Sequence, residues 1–192
     1  MPELFTAGHG TLTSQQLADL LHAARVERVV DVRSHPGSRR NPQFSREELG
    51  RWLPETGIKY EWAPDLGGRR RPTSNSPNTG LRHPAFRAYA DYMRTEAFQA
   101  GLERLASAAK AETVVVMCAE AVWWRCHRRL LADAATLISH VPVVHLFHDG
   151  RHQLHRPSPE VRLEAGVLVY DVGPNGQLSL PSGGGEAKCS GS

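Results

Sequence analysis

The sequence is short of the features that mark several large classes of protein. Among its 192 residues no apolar run approaches the ~20 residues that a bilayer span needs, which excludes a membrane-spanning protein. Only three cysteines occur, Cys118, Cys126 and Cys189. The count is odd and Cys189 falls in a Gly/Ser-rich stretch, so a disulfide framework is not expected. Met1-Pro2-Glu3-Leu4-Phe5 has no basic segment leading into a long apolar one, so no secretory signal is read. The expected setting is a reducing cytoplasm, with the cysteines as thiols. Lysine is scarce: Lys59, Lys110 and Lys188 are the three among 23 basic residues. Positive charge therefore rests on arginine, whose planar fork pairs bidentately with phosphate or carboxylate.

What is present describes a soluble globular chain, 40% hydrophobic and 22% charged. That balance excludes wholesale disorder. The length fits one domain over residues 1–180 followed by a disordered tail at 181–192, where Gly183-Gly184-Gly185 stand without bulky apolar neighbours. The net charge of +3 is small. It is unevenly spread, with nine Arg/Lys against five Asp/Glu between Arg33 and Arg71.

Strand and helix patterns alternate. Leu4-Phe5-Thr6-Ala7-Gly8 reads as a strand, ended by Gly8-His9-Gly10. Thr13 and Gln16 form a capping box for a helix through Leu17, Leu20, Leu21 and Ala24. Arg28 to Arg33 reads as a second strand, and Ser45 with Glu48 starts a short helix to about Leu53. Ile58 to Trp62 alternates as a strand does. Pro84 to about Ala109 has helical spacing with a break near Thr95. Thr113 to Cys118, apolar on both faces, is expected at the centre of a parallel sheet. A helix from Cys126 to Ile138, a strand from Val143 to Phe147 and a last strand from Val167 to Tyr170 complete the pattern. This alternation predicts an α/β fold, a single mostly parallel open sheet with helices on both faces.

In such sheets ligands collect at the carboxyl ends of the strands. The loops there bring His9, Asp31, Arg33, Cys118, Glu120, Cys126, His127 and Arg128 toward one rim. The catalytic candidates are Glu120, Cys118 and His9. Glu120 follows a fully apolar strand, where it either pairs an arginine such as Arg33 or Arg128 or, desolvated, serves as acid/base. The binding candidates are Asp31, Arg33, Arg39, Arg40, Cys126, His127 and Arg128. A thiol at a helix start is acidified by the helix dipole, and arginines in a first turn oppose that dipole, so an acidic partner or anionic ligand is expected beside them. His145 is expected to be a satisfied core histidine, and His148, His152 and His155 to lie on the surface.

Gly8-His9 after the first strand, Asp31-Val32-Arg33, and Cys118-Ala119-Glu120 followed by Cys126-His127-Arg128 resemble the bacterial family called domain of unknown function 488. The resemblance runs from about Leu4 to Val172. It implies an α/β protein and no defined reaction. Family members usually carry a carboxylate-rich or proline-containing stretch before Cys-His-Arg; this chain has Ala121-Val122-Trp123-Trp124-Arg125.

Three readings follow. The first is an enzyme binding an anionic, phosphate-bearing or nucleotide-like ligand, with Arg33 and Arg128 as clamps and Glu120 as acid/base. The second is a metal site from Cys118, Cys126 and His127 with His9 or Glu120. It is disfavoured because no Cys-x-x-Cys pair occurs and Cys126 and His127, adjacent on a helix, would point about 100° apart; no metal or other cofactor is expected. The third is a nucleic-acid module using Arg39, Arg40 and Arg69 to Arg71 with Trp52, Tyr60, Trp62, Phe86 and Tyr89. Val30-Asp31-Val32-Arg33 also resembles the opening of a rhodanese domain. That chemistry, and that of cysteine phosphatases, needs about five small residues between Cys and Arg. Here six separate Cys118 from Arg125, among them Glu120, Trp123 and Trp124.

Overall fold

The computed structural model describes residues 3–37 and 40–171. The tail at 181–192, the end of the expected domain at 172–180, and Arg39 lie outside them. The described chain is an α/β fold. It runs β1 (Leu4–Gly8), α1 (Ser14–Ala23), β2 (Arg28–Asp31), α2 (Arg46–Glu55), β3 (Lys59–Trp62), α3 (Pro84–Tyr92), α4 (Glu96–Ala111), β4 (Val114–Cys118), α5 (Arg128–Leu137), β5 (Val143–Leu146), β6 (His152–Leu154), β7 (Val161–Glu164) and β8 (Val167–Tyr170). Local signals explain several boundaries. Thr13 and Gln16 close the capping box of α1, Ser45 accepts the Glu48 amide at the start of α2, and Thr95 caps α4 across the break from α3.

The main sheet has the order β3-β2-β4-β1-β5-β6. Its first five strands are parallel and β6 is antiparallel to β5. β4 is central, and its alternate residues feed two cores. Val114, Val116 and Cys118 pack toward α3, α4 and α5 beside Tyr89, Phe98 and Leu130. Val115 and Met117 pack toward α1 and α2 beside Leu17, Leu21, Leu49 and Leu53. Helices therefore cover both faces. The loops after β1 and β2 leave toward one face and the loop after β4 toward the other, which opens a crevice at the carboxyl ends of these three neighbours.

Three expectations are corrected. Val167 to Tyr170 forms a strand, but it pairs with β7 in a separate hairpin instead of extending the main sheet. β6 and β7 had no sequence signal, since their side chains are half-buried or exposed and lack the apolar alternation that marks a half-buried strand. His155 is buried, not on the surface, with its side chain wholly covered. It belongs to a hydrogen-bonded chain: Thr6 Oγ1 lies 2.7 Å from His145 Nδ1, His145 Nε2 lies 2.9 Å from His155 Nδ1, and His155 Nε2 lies 2.9 Å from Asp133 Oδ1. Asp133 also accepts the Ser158 amide and hydroxyl and the Tyr170 hydroxyl. These bonds fasten the chain after β6 and the β7–β8 hairpin to α5. His145 is buried and satisfied as expected. No helix among the described residues is long and apolar enough to cross a membrane.

Candidate active site at the strand ends

At the end of β1 the backbone runs hard against the loop after β4. The His9 amide donates to Cys118 O and the Gly10 amide to Ala119 O, both at 3.0 Å. A Cβ on Gly8 would fall 1.8 Å from Glu120 O and 2.8 Å from Arg128 Nη2, so only glycine permits this approach. Arg128 lies inside that junction, 1% exposed, and donates to the Glu120 backbone carbonyl. Its Nε has no hydrogen-bond partner among the described residues. Arg128 thus meets the main chain of Glu120 and not its carboxylate.

Asp31 and Arg33 form a second buried assembly. Arg33 grips Asp31 bidentately, Nε to Oδ1 at 2.8 Å and Nη2 to Oδ2 at 2.6 Å. Nη2 also donates to Phe44 O, and the Tyr60 hydroxyl donates to Asp31 Oδ2. Asp31 is fully buried, so the pair is tied on most sides. His9 sits beside it with Nδ1 donating to Gly10 O at 3.0 Å, which leaves Nε2 as the acceptor facing Arg33 Nη1 at 3.3 Å. Burial, helped by the nearby Arg33, lowers His9 to about 4, so it is neutral at neutral pH.

Above these lies a pocket of about 470 Å³, lined by Arg33, Ser34, His35, Gly68, Arg69, Ala85, Phe86, Cys118, Ala119, Glu120, Arg125, Cys126 and His127. That volume suits a small molecule. The lining holds three arginines and two histidines against one carboxylate. Arg69 and Arg125 are exposed, and their guanidinium groups have no protein partner among the described residues.

On the pocket wall the two sulfurs of Cys118 and Cys126 are 3.3 Å apart, and both thiols are free. Cys126 Sγ also lies 3.4 Å from His127 Nδ1. The pair splits in acidity. Its hydrogen bond to Cys126, then burial, pushes Cys118 up to about 12. The hydrogen bond from Cys118, aided by the charge, amide and guanidinium of Arg128, lowers Cys126 to about 6 against the opposing effect of burial. A thiol just ahead of a helix gains this from the first-turn amides and dipole.

Cys126 and His127 are not adjacent helical positions, which corrects the argument made against their acting together. Cys126 has extended backbone and α5 begins only at Arg128, so both side chains converge with Cys118, their donor atoms within 4.8 Å of one another. These three residues could hold a thiophilic cation. The sulfurs nevertheless stand closer than the ~3.8 Å that two thiolates 2.3 Å from a tetrahedral zinc would keep, a spacing that suits a thiol hydrogen-bonded to a thiolate.

The residues expected at one rim are together. Arg33, Cys118, Glu120, Cys126 and His127 face the pocket, while His9, Asp31 and Arg128 support it from beneath. Glu120 is exposed and, among the described residues, its carboxylate accepts only the Val122 amide, at 3.4 Å; neither the arginine pairing nor the burial expected of it is found there. Arg40 is exposed and lies outside the lining. Gly68, Arg69, Ala85, Phe86 and Arg125 also line the pocket and are not among the residues expected at this rim, Arg69 and Phe86 having a place only in the nucleic-acid reading. Gly68 could have been expected there, because Gly67-Gly68 followed by three arginines invites close approach, and a Cβ on Gly68 would lie 2.5 Å from the His127 ring. Trp123 was likewise unforeseen: it stacks on His145 at 3.9 Å and 6°, anchoring the loop that carries Cys126.

A family model described as Domain of unknown function DUF488 matches residues 13–135, more than half of the chain. The span is shorter than the resemblance read from the sequence, leaving β1 with Gly8-His9 outside it while covering every pocket-lining residue. No curated protein and no solved structure matches the chain significantly.

Proposed function

The chain belongs to the DUF488 family, and from the geometry of its strand-end pocket we propose that it is an enzyme that binds an anionic small molecule, phosphate-bearing or nucleotide-like, and acts on it through the Cys126 thiolate. One observation carries this reading: a small-molecule-sized pocket places a buried thiol pair beneath a rim that holds three arginines against one carboxylate. Arg69 and Arg125 are the ligand-facing cations, because Arg33 and Arg128 already serve protein acceptors. Cys118 holds the Cys126 thiolate by a hydrogen bond. His127 is placed to move a proton at the sulfurs, and Glu120 at the mouth to do so at the ligand. Asp31 and His9 keep Arg33 in place. We assign it to the cytoplasm, where reducing conditions keep neighbouring cysteines such as Cys118 and Cys126 as thiols.

A nucleic-acid module has weaker support. Trp52 and Tyr89 are buried, and Tyr60, Trp62 and Phe86 are half-buried. Arg70 is engaged with Pro64 O and Gly67 O and lies over the Tyr92 ring. No stacking platform is formed by these aromatics.

Protection of Cys126 from iodoacetamide tests the ligand class. At constant ionic strength, pyrophosphate or a nucleoside monophosphate slows alkylation of the wild type and not of Arg69→Ala/Arg125→Ala. Equal rates with and without every anion tried would refute anion binding.

A further inference from the structure

A phosphoryl or acyl transfer through cysteine needs one sulfur; this pocket holds two in contact. We propose that Cys126 and Cys118 act as nucleophile and resolving thiol, so that the substrate is an anionic small molecule with a sulfur–sulfur bond, reduced at the expense of an internal Cys118–Cys126 disulfide. The inference rests on the function proposed above, that the pocket takes an anion and Cys126 attacks it, and adds the bond that is broken.

Three observations support it. The sulfurs are 3.3 Å apart on different elements, one at the end of β4 and one just before α5. Closing them to a disulfide of ~2.0 Å requires a movement of about 1 Å, within reach of side-chain rotation. Both cysteines line the pocket while being at most 9% exposed, so a small disulfide can enter and a folded protein's disulfide is excluded. Arg69 and Arg125 at the mouth then select for negative charge on the entering molecule.

The Cys126 thiolate attacks one substrate sulfur, forming Cys126–S–S–R and expelling the other half as a thiolate. Cys118 gives its proton to the His127 ring, which lies within 4.8 Å of both sulfurs, and attacks Cys126 Sγ. The second half leaves as R–S⁻ and takes the proton from His127. The substrate bond is reduced by two electrons and the protein thiols are oxidised to a disulfide. A low-molecular-weight thiol or dithiol restores them by exchange.

The test uses full-length protein carrying Cys189→Ser, with dithiobis(nitrobenzoate) as the anionic probe and bis(hydroxyethyl) disulfide as the neutral one. With one equivalent of the anionic probe, the expected result is two equivalents of released thiolate. The protein becomes lighter by two hydrogens, carries no adduct, and yields a Cys118–Cys126 cross-linked peptide. Cys118→Ser, shown folded by circular dichroism, releases one equivalent and keeps the adduct on Cys126. Relative to each probe's reaction with a free small thiol, the anionic probe is favoured by about tenfold or more. A stable wild-type adduct on Cys126 with Cys118 still free overturns the resolving role and leaves the function proposed above standing. Failure of Cys126 to react in either protein overturns both, as does stoichiometric zinc that occupies both thiols as isolated. The cross-link is read on wild-type cysteines, so the result does not depend on a variant that folds.

Discussion

The acidity of Cys126 is the property on which the site's chemistry turns, and it can be measured directly. The hydrogen bond from Cys118 and the proximity of Arg128 hold this thiol near 6, three units below its ordinary 9.0. At pH 7 it is therefore about 90% thiolate, against about 1% for an ordinary cysteine at that value, a gain of roughly 90-fold in the reactive form. Lower basicity also weakens each thiolate: with a Brønsted slope of about 0.45, three units cost roughly 20-fold, leaving a net advantage of only about fourfold. The discriminating observable is thus the pH midpoint and not the absolute rate. In Cys189→Ser protein, iodoacetamide alkylation followed by peptide mass spectrometry should give a Cys126 rate that levels off above about pH 7. Cys118, pushed up to about 12, should stay unmodified. Removing the donor with Cys118→Ala should raise the Cys126 midpoint. A midpoint of 8 or above in the wild type, or equal modification of the two sulfurs, would refute the electrostatic argument.

Other outcomes follow from the supporting shell. Asp31→Asn leaves the buried Arg33 guanidinium without its counter-charge and should lower stability by about 3–5 kcal/mol, read by urea unfolding; a loss below about 1 kcal/mol would mean that water reaches the pair. Gly8→Ala drives a Cβ into the Glu120 carbonyl and should cost about 1–3 kcal/mol or more. It should also raise the Cys126 midpoint by disturbing Arg128, and an unchanged midpoint would show that the junction does not position the thiol. Burial lowers His9 from 6.5 to about 4 and His145 from 6.5 to about 3. Because the unfolded chain takes up these protons first, their contribution is complete above pH 6.5 and is lost as the pH falls, down to about 4 for His9 and about 3 for His145. The slope is about 1.4 kcal/mol per pH unit for each histidine. Unfolding free energies at pH 7 and 5 that agree within about 0.5 kcal/mol would contradict this. Trp123→Ala, which removes the stack on His145, should leave the fold intact and slow Cys126 alkylation; wild-type kinetics would show that the stack does not hold the loop.

The sequence by itself determined the fold class, because apolar periodicity and capping residues are local properties. The continuous apolar run of Thr113 to Cys118 marked a strand buried on both faces, Thr13 with Gln16 marked a helix start, and the alternation of such elements left a mostly parallel sheet as the economical way to bury them. It also brought Cys118, Glu120, Cys126 and His127 to one rim, since that inference requires only that the loops follow neighbouring parallel strands. What it left open was the choice of partner for each polar group. Arg33 folds back on Asp31 two residues away, Arg128 takes the Glu120 carbonyl and not its carboxylate, and Asp133 draws His155 inward; residue type and spacing allow other pairings in each case. The β7–β8 hairpin takes its place from Tyr170 and Asp133, which meet only in three dimensions. The contrast between two neighbouring thiols likewise arose from tertiary structure: Cys118 ends a buried strand, Cys126 lies where a helix begins beside a buried arginine, and 3.3 Å between their sulfurs lets one donate while the other stays charged.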